Sequence, residues 1–184
     1  MREEKPEFKM GDLKNISKDS VIFNERMTPA IILHNPKYSH NVGGIVRACS
    51  NFGGKLVIFT GDRVSLDPDK GKGYRLPREE RMKDYQDILL LNDDYPFNRF
   101  NGGVIPVAVE KRENAEPLTY FQHPENAVYV FGPEDGSIPQ VMLRHCQRFV
   151  VIVSKHCLNL AAAVNVILAD RVTKLGYVHR DQIE

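Results

Sequence analysis

Two short, unbroken apolar runs, AIILHN at 30–35 and KLVIFTG at 55–61, bracket a segment whose apolar residues recur at helical spacing. Runs this short, closed by turn residues, fit strands buried on both faces; a strand with one wet face would alternate polar and apolar side chains. Between them Val42, Ile45, Val46, Cys49 and Phe52 share one helical face, Asn41 stands where an N-cap belongs, and Gly53-Gly54 end the run. Strand, helix and strand joined by short links make a βαβ unit, and its two strands lie parallel. The pattern recurs downstream. GVIPVAV (103–109), AVYVFG (127–132) and RFVVIV (148–153) read as strands, IPQVMLRHC (138–146) as a short helix, and Asn159 to about Lys174 as an Ala-rich helix. The expected fold class is α/β, a mostly parallel sheet with helices on both faces. Between these halves DPDKGKGYRLPREERMK reads as an exposed loop and KDYQDILLLND as a short helix. Residues 1–27 mix charges without periodicity and read as an N-terminal arm or small addition, leaving 28–184 as a single domain.

The 184 residues carry 25 Lys and Arg against 24 Asp and Glu, a formal charge of +1. A field so balanced neither demands nor excludes a polyanionic partner, so any basic patch has to be local. Cys49, Cys146 and Cys157 are too few and too scattered for a disulfide framework, which points to a reducing compartment. With no apolar leader in the N-terminal stretch and no run of membrane-spanning length, a cytoplasmic protein without membrane partners is expected.

Three segments could carry chemistry. In SHNVGGIVRACSNFGG (39–54), Gly43, Arg47 and Asn51 stack opposite the apolar face, flanked by Gly44 and Ala48. Each glycine costs a helix interior about 1 kcal/mol relative to alanine, so the bare shelf implies a close approach. That approach is either a ligand or partner reaching Arg47, or tight packing against another helix. In FGPEDGSIPQ (131–140) a buried strand ends in glycines and carboxylates, where open α/β sheets bind ligands; the same residues also make a good β-turn. In SKHCLNLAAAVN (154–165) a thiol, an amide and a helix N-terminus follow another strand, although Asn159 also suits a plain helix cap. No G-x-G-x-x-G follows the first strand, and neither a P-loop nor a G-x-S-x-G elbow occurs. His145-Cys146 and His156-Cys157 do not have the spacing of a zinc site, and no metal is expected.

Taken in order, the three segments resemble the motifs of the SpoU branch of the SPOUT family, knotted RNA 2′-O-ribose methyltransferases. Asn41, Gly43, Arg47 and the following FGG match the first motif; Gly132, Glu134, Gly136 and Ile138 with Pro139 match the second. Cys157, Leu158 and Asn159 with LAAAVNVILADR match the third, and the resemblance spans roughly residues 28–178. It implies a C-terminal deep trefoil knot, S-adenosylmethionine as cofactor, a homodimer formed through the knot region, and tRNA or rRNA as partner. It also implies that Gly132, Ile152, Cys157 and Leu158 contact the cofactor, and that Arg47, Asn41, Glu134 and Asn159 form the catalytic set. The family's usual serine is Cys157 here, a weaker hydrogen-bond donor, and VVIVSKHC lacks the common Ile-Pro-Met.

A guanidinium keeps its proton at neutral pH, so Arg47 suits anchoring a phosphate and stabilising a developing alkoxide better than acting as base. Glu134 would orient it, while Asn41 and Asn159 would hold the polar geometry. From Lys70 to Lys83 six basic residues face two acidic ones beside Tyr74. Lys70, Lys72, Arg75 and Arg78 are therefore candidate RNA contacts, against the plainer reading of a solvated loop. A non-catalytic module binding RNA or S-adenosylmethionine is the alternative function.

Overall fold

The apolar runs divide their side chains between two cores, one on each face of a seven-stranded sheet. The computed structural model describes residues 22–65 and 88–176. The strands are β1 (Ala30–Leu33), β2 (Leu56–Phe59), β3 (Leu89–Asn92), β4 (Ile105–Val109), β5 (Glu116–Pro117), β6 (Ala127–Phe131) and β7 (Arg148–Val151). Their order is β3-β2-β1-β6-β4-β7-β5, and each of these pairings is parallel. Helices α1 (Ser39–Phe52) and α3 (Leu160–Leu175) share a core with Ile31, Leu33, Val57, Phe59 and Tyr129. The alternate residues Ala30, Ile32, Leu56, Ile58 and Val128 face the other way, toward the one-turn helix α2 (Gln140–Leu143), Phe23 and Phe97. Each fully buried Val, Leu, Ile or Phe contributes about 1.5–3 kcal/mol, which is why runs apolar on both faces occupy the centre of the sheet.

Strand order creates a switch point. The chain leaves β1 for β2 on one side, and leaves its neighbour β6 for β7 on the other. Helix α1 covers one face and α2 the opposite one, as a shared right-handed crossover requires. The switch point lies at the carboxyl ends of β1 and β6, where open α/β sheets bind ligands.

Three expectations change. KDYQDILLLND is not a helix where it is described: Leu89–Asn92 pairs in register with Leu56–Phe59, with Leu90 in one core and Leu89 and Leu91 against the other. Strand pairing decides an apolar run that suits either state. Asn41 is not the N-cap of α1, because the helix begins at Ser39 with Tyr38 in the cap position and no side-chain cap there. The 148–153 run leaves the sheet at Val151, so Ile152 and Val153 belong to the loop beyond. Of the N-terminal segment, Phe23 is buried and forms a bridge with Phe100, while residues 1–21 lie outside the described residues.

Gly44 shows what the bare shelf on α1 accommodates. A Cβ built there would sit 3.0 Å from the Cβ of Ala161 on α3. The small residues thus let two helices of one chain meet, and Gly43 and Ala48 are buried beside that contact.

A polar network fastens the far end of α3. The fully buried His123 side chain bonds Tyr129 through Nδ1 at 2.6 Å and Asp170 through Nε2 at 2.8 Å. A carboxylate can only accept, so Nε2 carries the proton and Nδ1 accepts from the tyrosine hydroxyl. Lys174 reaches Asp170 at 2.8 Å and the Phe121 carbonyl at 3.2 Å, and Arg171 reaches the Glu125 carbonyl at 2.7 Å. Burial lowers the His123 pKa against the pull of Asp170, and burial lowers that of His34 as well.

Two outcomes follow from this packing. Gly44→Leu should lose about 1–3 kcal/mol of unfolding free energy in urea, whereas Ser50→Ala on the exposed side of α1 should change it by less than about 0.5 kcal/mol. A lowered histidine pKa means the unfolded chain binds more protons, so stability is fully present above the ordinary value of 6.5 and falls as pH drops below it. His123→Gln should flatten that decline in the urea midpoint.

Candidate active site at the carboxyl ends of β1 and β6

Residues from all three segments meet at the switch point. Asn41, in the first turn of α1, donates from Nδ2 to Oε1 of Glu134 at 2.5 Å. It accepts at Oδ1 from Nδ2 of Asn159 at 2.9 Å. Asn159 caps α3, its Oδ1 accepting from the amides of Ala161 at 2.9 Å and Ala162 at 3.3 Å. The second oxygen of Glu134 accepts from the Lys37 amide at 2.7 Å. The result is a relay of hydrogen bonds from the α3 N-terminus through Asn159 and Asn41 to Glu134. Asn41 is only 2% exposed, and a buried amide held on both sides is rigid. Gly44 and Ala161, at the helix contact, set the spacing that lets the two asparagines touch.

Arg47 lies on the exposed side of α1, six residues beyond Asn41. At the ends of β1 and β6 lies an ion-pair cluster that sequence patterns did not single out as a pair. Arg63, in the loop after β2, forms a two-pronged pair with Asp135 at 2.9 and 2.8 Å, and Lys37 reaches the same carboxylate at 3.2 Å. Arg63 and then Lys37 hold the Asp135 carboxyl well below the usual carboxylate range.

The residues expected to contact the cofactor lie beyond the ends of β6 and β7. A Cβ at Gly132 would come within 2.9 Å of the Ile138 amide nitrogen, so only glycine lets the strand end and the returning loop pass this closely. That amide donates to Oε2 of Glu110, just past β4, at 2.8 Å; Glu110 is a further residue the sequence patterns did not mark. Ile152 lies just past β7, two strands from Gly132 or about 10 Å across the sheet. Cys157 and Leu158 follow in an exposed loop, within which Ser154 Oγ donates to the His156 carbonyl at 2.8 Å. His145 stacks on Phe97 at 4.5 Å, and among the described residues no group of three His, Cys, Asp or Glu side chains is arranged to hold a metal. No described helix is long and apolar enough to cross a membrane. Lys70, Lys72, Arg75 and Arg78 lie outside the described residues.

Comparison with known proteins agrees with this architecture. The tRNA (cytidine-2′-O-)-methyltransferase TrmJ of Methanocaldococcus jannaschii is 29% identical over 157 residues, covering 79% of this chain and 67% of that protein. The TrmH/SpoU tRNA modifying enzyme of A. aeolicus superposes with a TM-score of 0.64 at 18% identity, over 83% of this chain and 78% of that one. The AdoMet-bound rRNA methyltransferase of Sinorhizobium meliloti gives 0.66 at 19% identity, over 94% and 62%. The sequence profile of the SpoU rRNA Methylase family matches residues 28–169, a span that contains Asn41, Glu134 and Asn159, and the chain belongs to that family.

Proposed function

We propose that the protein transfers a methyl group from S-adenosylmethionine to a ribose 2′-hydroxyl of tRNA or rRNA. The observation that carries this reading is the relay Asn159, Asn41, Glu134, which joins three motifs distant in sequence at the carboxyl ends of β1 and β6. The 2′-O-methyltransferase related to this chain, and the AdoMet-bound structure that shares its fold, support the chemistry. The family resemblance extends the reading to a trefoil knot and a homodimer.

The bound cofactor would supply an electrophilic methyl group. Gly132, Ile152, Cys157 and Leu158 would hold it at the ends of β6 and β7, with the close Gly132–Ile138 approach shaping one wall. Methyl transfer is an in-line displacement, and what the protein must add is alignment and charge. The Arg47 guanidinium would hold the phosphate next to the target ribose and stabilise the alkoxide that develops as the 2′-hydroxyl loses its proton. Asn41, Asn159 and Glu134 would keep the site rigid, so that the hydroxyl meets the methyl in one orientation. Lys70, Lys72, Arg75 and Arg78 would supply the local positive charge that the +1 net charge lacks.

With tritiated S-adenosylmethionine and RNA from cells lacking the protein, wild type should label RNA at 2′-O positions. Arg47→Lys should lower kcat by about 10²-fold, because an ammonium cannot reproduce the two-pronged donor. Near-normal turnover of that variant would exclude the guanidinium role, and absence of any label with wild type would exclude methyl transfer. Replacing Lys70, Lys72, Arg75 and Arg78 with glutamine should weaken RNA binding and flatten its dependence on log salt by about 0.7 for each phosphate no longer neutralised. Unchanged affinity at low salt would remove them from the RNA surface.

A further inference from the structure

The open carboxylate Asp135 collects two cations from two other parts of the chain. Arg63 grips it with both guanidinium prongs and also reaches the Asn35 carbonyl at 3.4 Å. Lys37 grips the same loop twice, its amide on Glu134 at 2.7 Å and its ammonium on Asp135 at 3.2 Å. The side chains of Asp135, Lys37 and Arg63 are 47%, 41% and 28% exposed. Ion pairs this open add little to folding. What they do is geometric: they tie the loop after β6 to the loop after β1, the two loops whose spacing sets the Glu134–Asn41 contact. The β1 loop is itself held in an uncommon shape, since Asn35 has a φ of 43° and its amide donates to Thr60 Oγ1 at 3.1 Å. Strained backbone of this kind persists where its surroundings over-determine it.

We propose that Asp135, Arg63 and Lys37 are positioning residues that clamp the Glu134 loop onto the start of α1 and so fix the Glu134–Asn41–Asn159 relay. The proposal rests on the reading of the relay as part of a methyltransferase site. In the clamp, Asp135 serves as the shared anchor, Arg63 as the fork that sets its direction, and Lys37 as the link between the ion pair and Glu134. Loosening it displaces Glu134 without removing any member of the relay. A displacement of about 1 Å in such a site costs about 10²-fold in rate.

The test compares Arg63→Ala, Asp135→Asn, the double variant and Arg63→Lys in the full-length protein. Each single variant should keep the urea midpoint and the affinity for S-adenosylmethionine while kcat on RNA falls by about 10²-fold. The double variant should be no worse than either single one, as for two ends of one ion pair. Arg63→Lys, with charge but no fork, should recover part of the activity. Independently of activity, the Lys37 amide should exchange its hydrogen faster in Arg63→Ala and Asp135→Asn than in wild type, because its acceptor Glu134 is released. Unchanged exchange at Lys37 would overturn the clamp. So would an Asp135→Asn variant with intact kcat and tighter RNA binding, which would make Arg63 and Lys37 a phosphate seat that Asp135 covers. If wild type methylates no RNA, the functional reading fails, and amide exchange still decides whether the clamp exists.

Discussion

The pairing of β1 with β6 holds the site together. Ala30–Leu33 runs in register with Val128–Phe131, so both strands end at the same level and release their loops side by side. Asn41 and Glu134 are 93 residues apart in the chain and share a 2.5 Å hydrogen bond because of it. Were the pairing to slip by one residue, every side chain of β6 would exchange cores, and Tyr129 would lose the face on which it meets His123. Register and site geometry are therefore fixed by the same apolar burial.

The second dependence is helix on helix. Asn159 and Asn41 lie on different helices, and they touch only because Gly44 lets α3 approach to the limit of van der Waals contact. At its other end α3 is held by His123, Asp170 and Lys174. The helix is thus fastened at both ends, by packing where the site is and by a buried polar network where it is not. Leu160, Val164, Ile167 and Leu168, buried along the helix, add apolar stabilisation between these fastenings.

Glycine placement records where the backbone comes close to itself. At both Gly44 and Gly132 the neighbour is another part of the same chain, the α3 helix in one case and the Ser137–Ile138 backbone in the other. At Gly132 the close approach sets the Ile138 amide against Glu110, and at Gly44 it brings α3 beside α1. Of the two explanations open for the bare shelf on α1, helix packing accounts for Gly44, and Arg47 projects from the exposed side of the same helix.

Local pattern was enough for β1, α1 and β2, because unbroken apolar runs and helical spacing are properties of neighbouring residues. It was enough for Asn159 as a cap, since a cap bonds amides two and three residues on. It misread Leu89–Asn92, where an apolar run suits helix and strand equally and only the vacant edge of β2 decides. It placed Asn41 as a cap, because nothing within one helical turn reveals that its amide donates to Glu134 and accepts from Asn159. The Arg63–Asp135 pairing gave no signal: Asp135 stood out only as one of the carboxylates at a strand end, and Arg63 is an ordinary surface charge until strands bring the two together across 72 residues. The parallel α/β class, the three motif segments and the family they resemble are written in the order of the amino acids. Which side chains of those segments touch is settled only in the folded chain, because hydrogen bonds are made across strand order and helix packing, and neither is a property of adjacent residues.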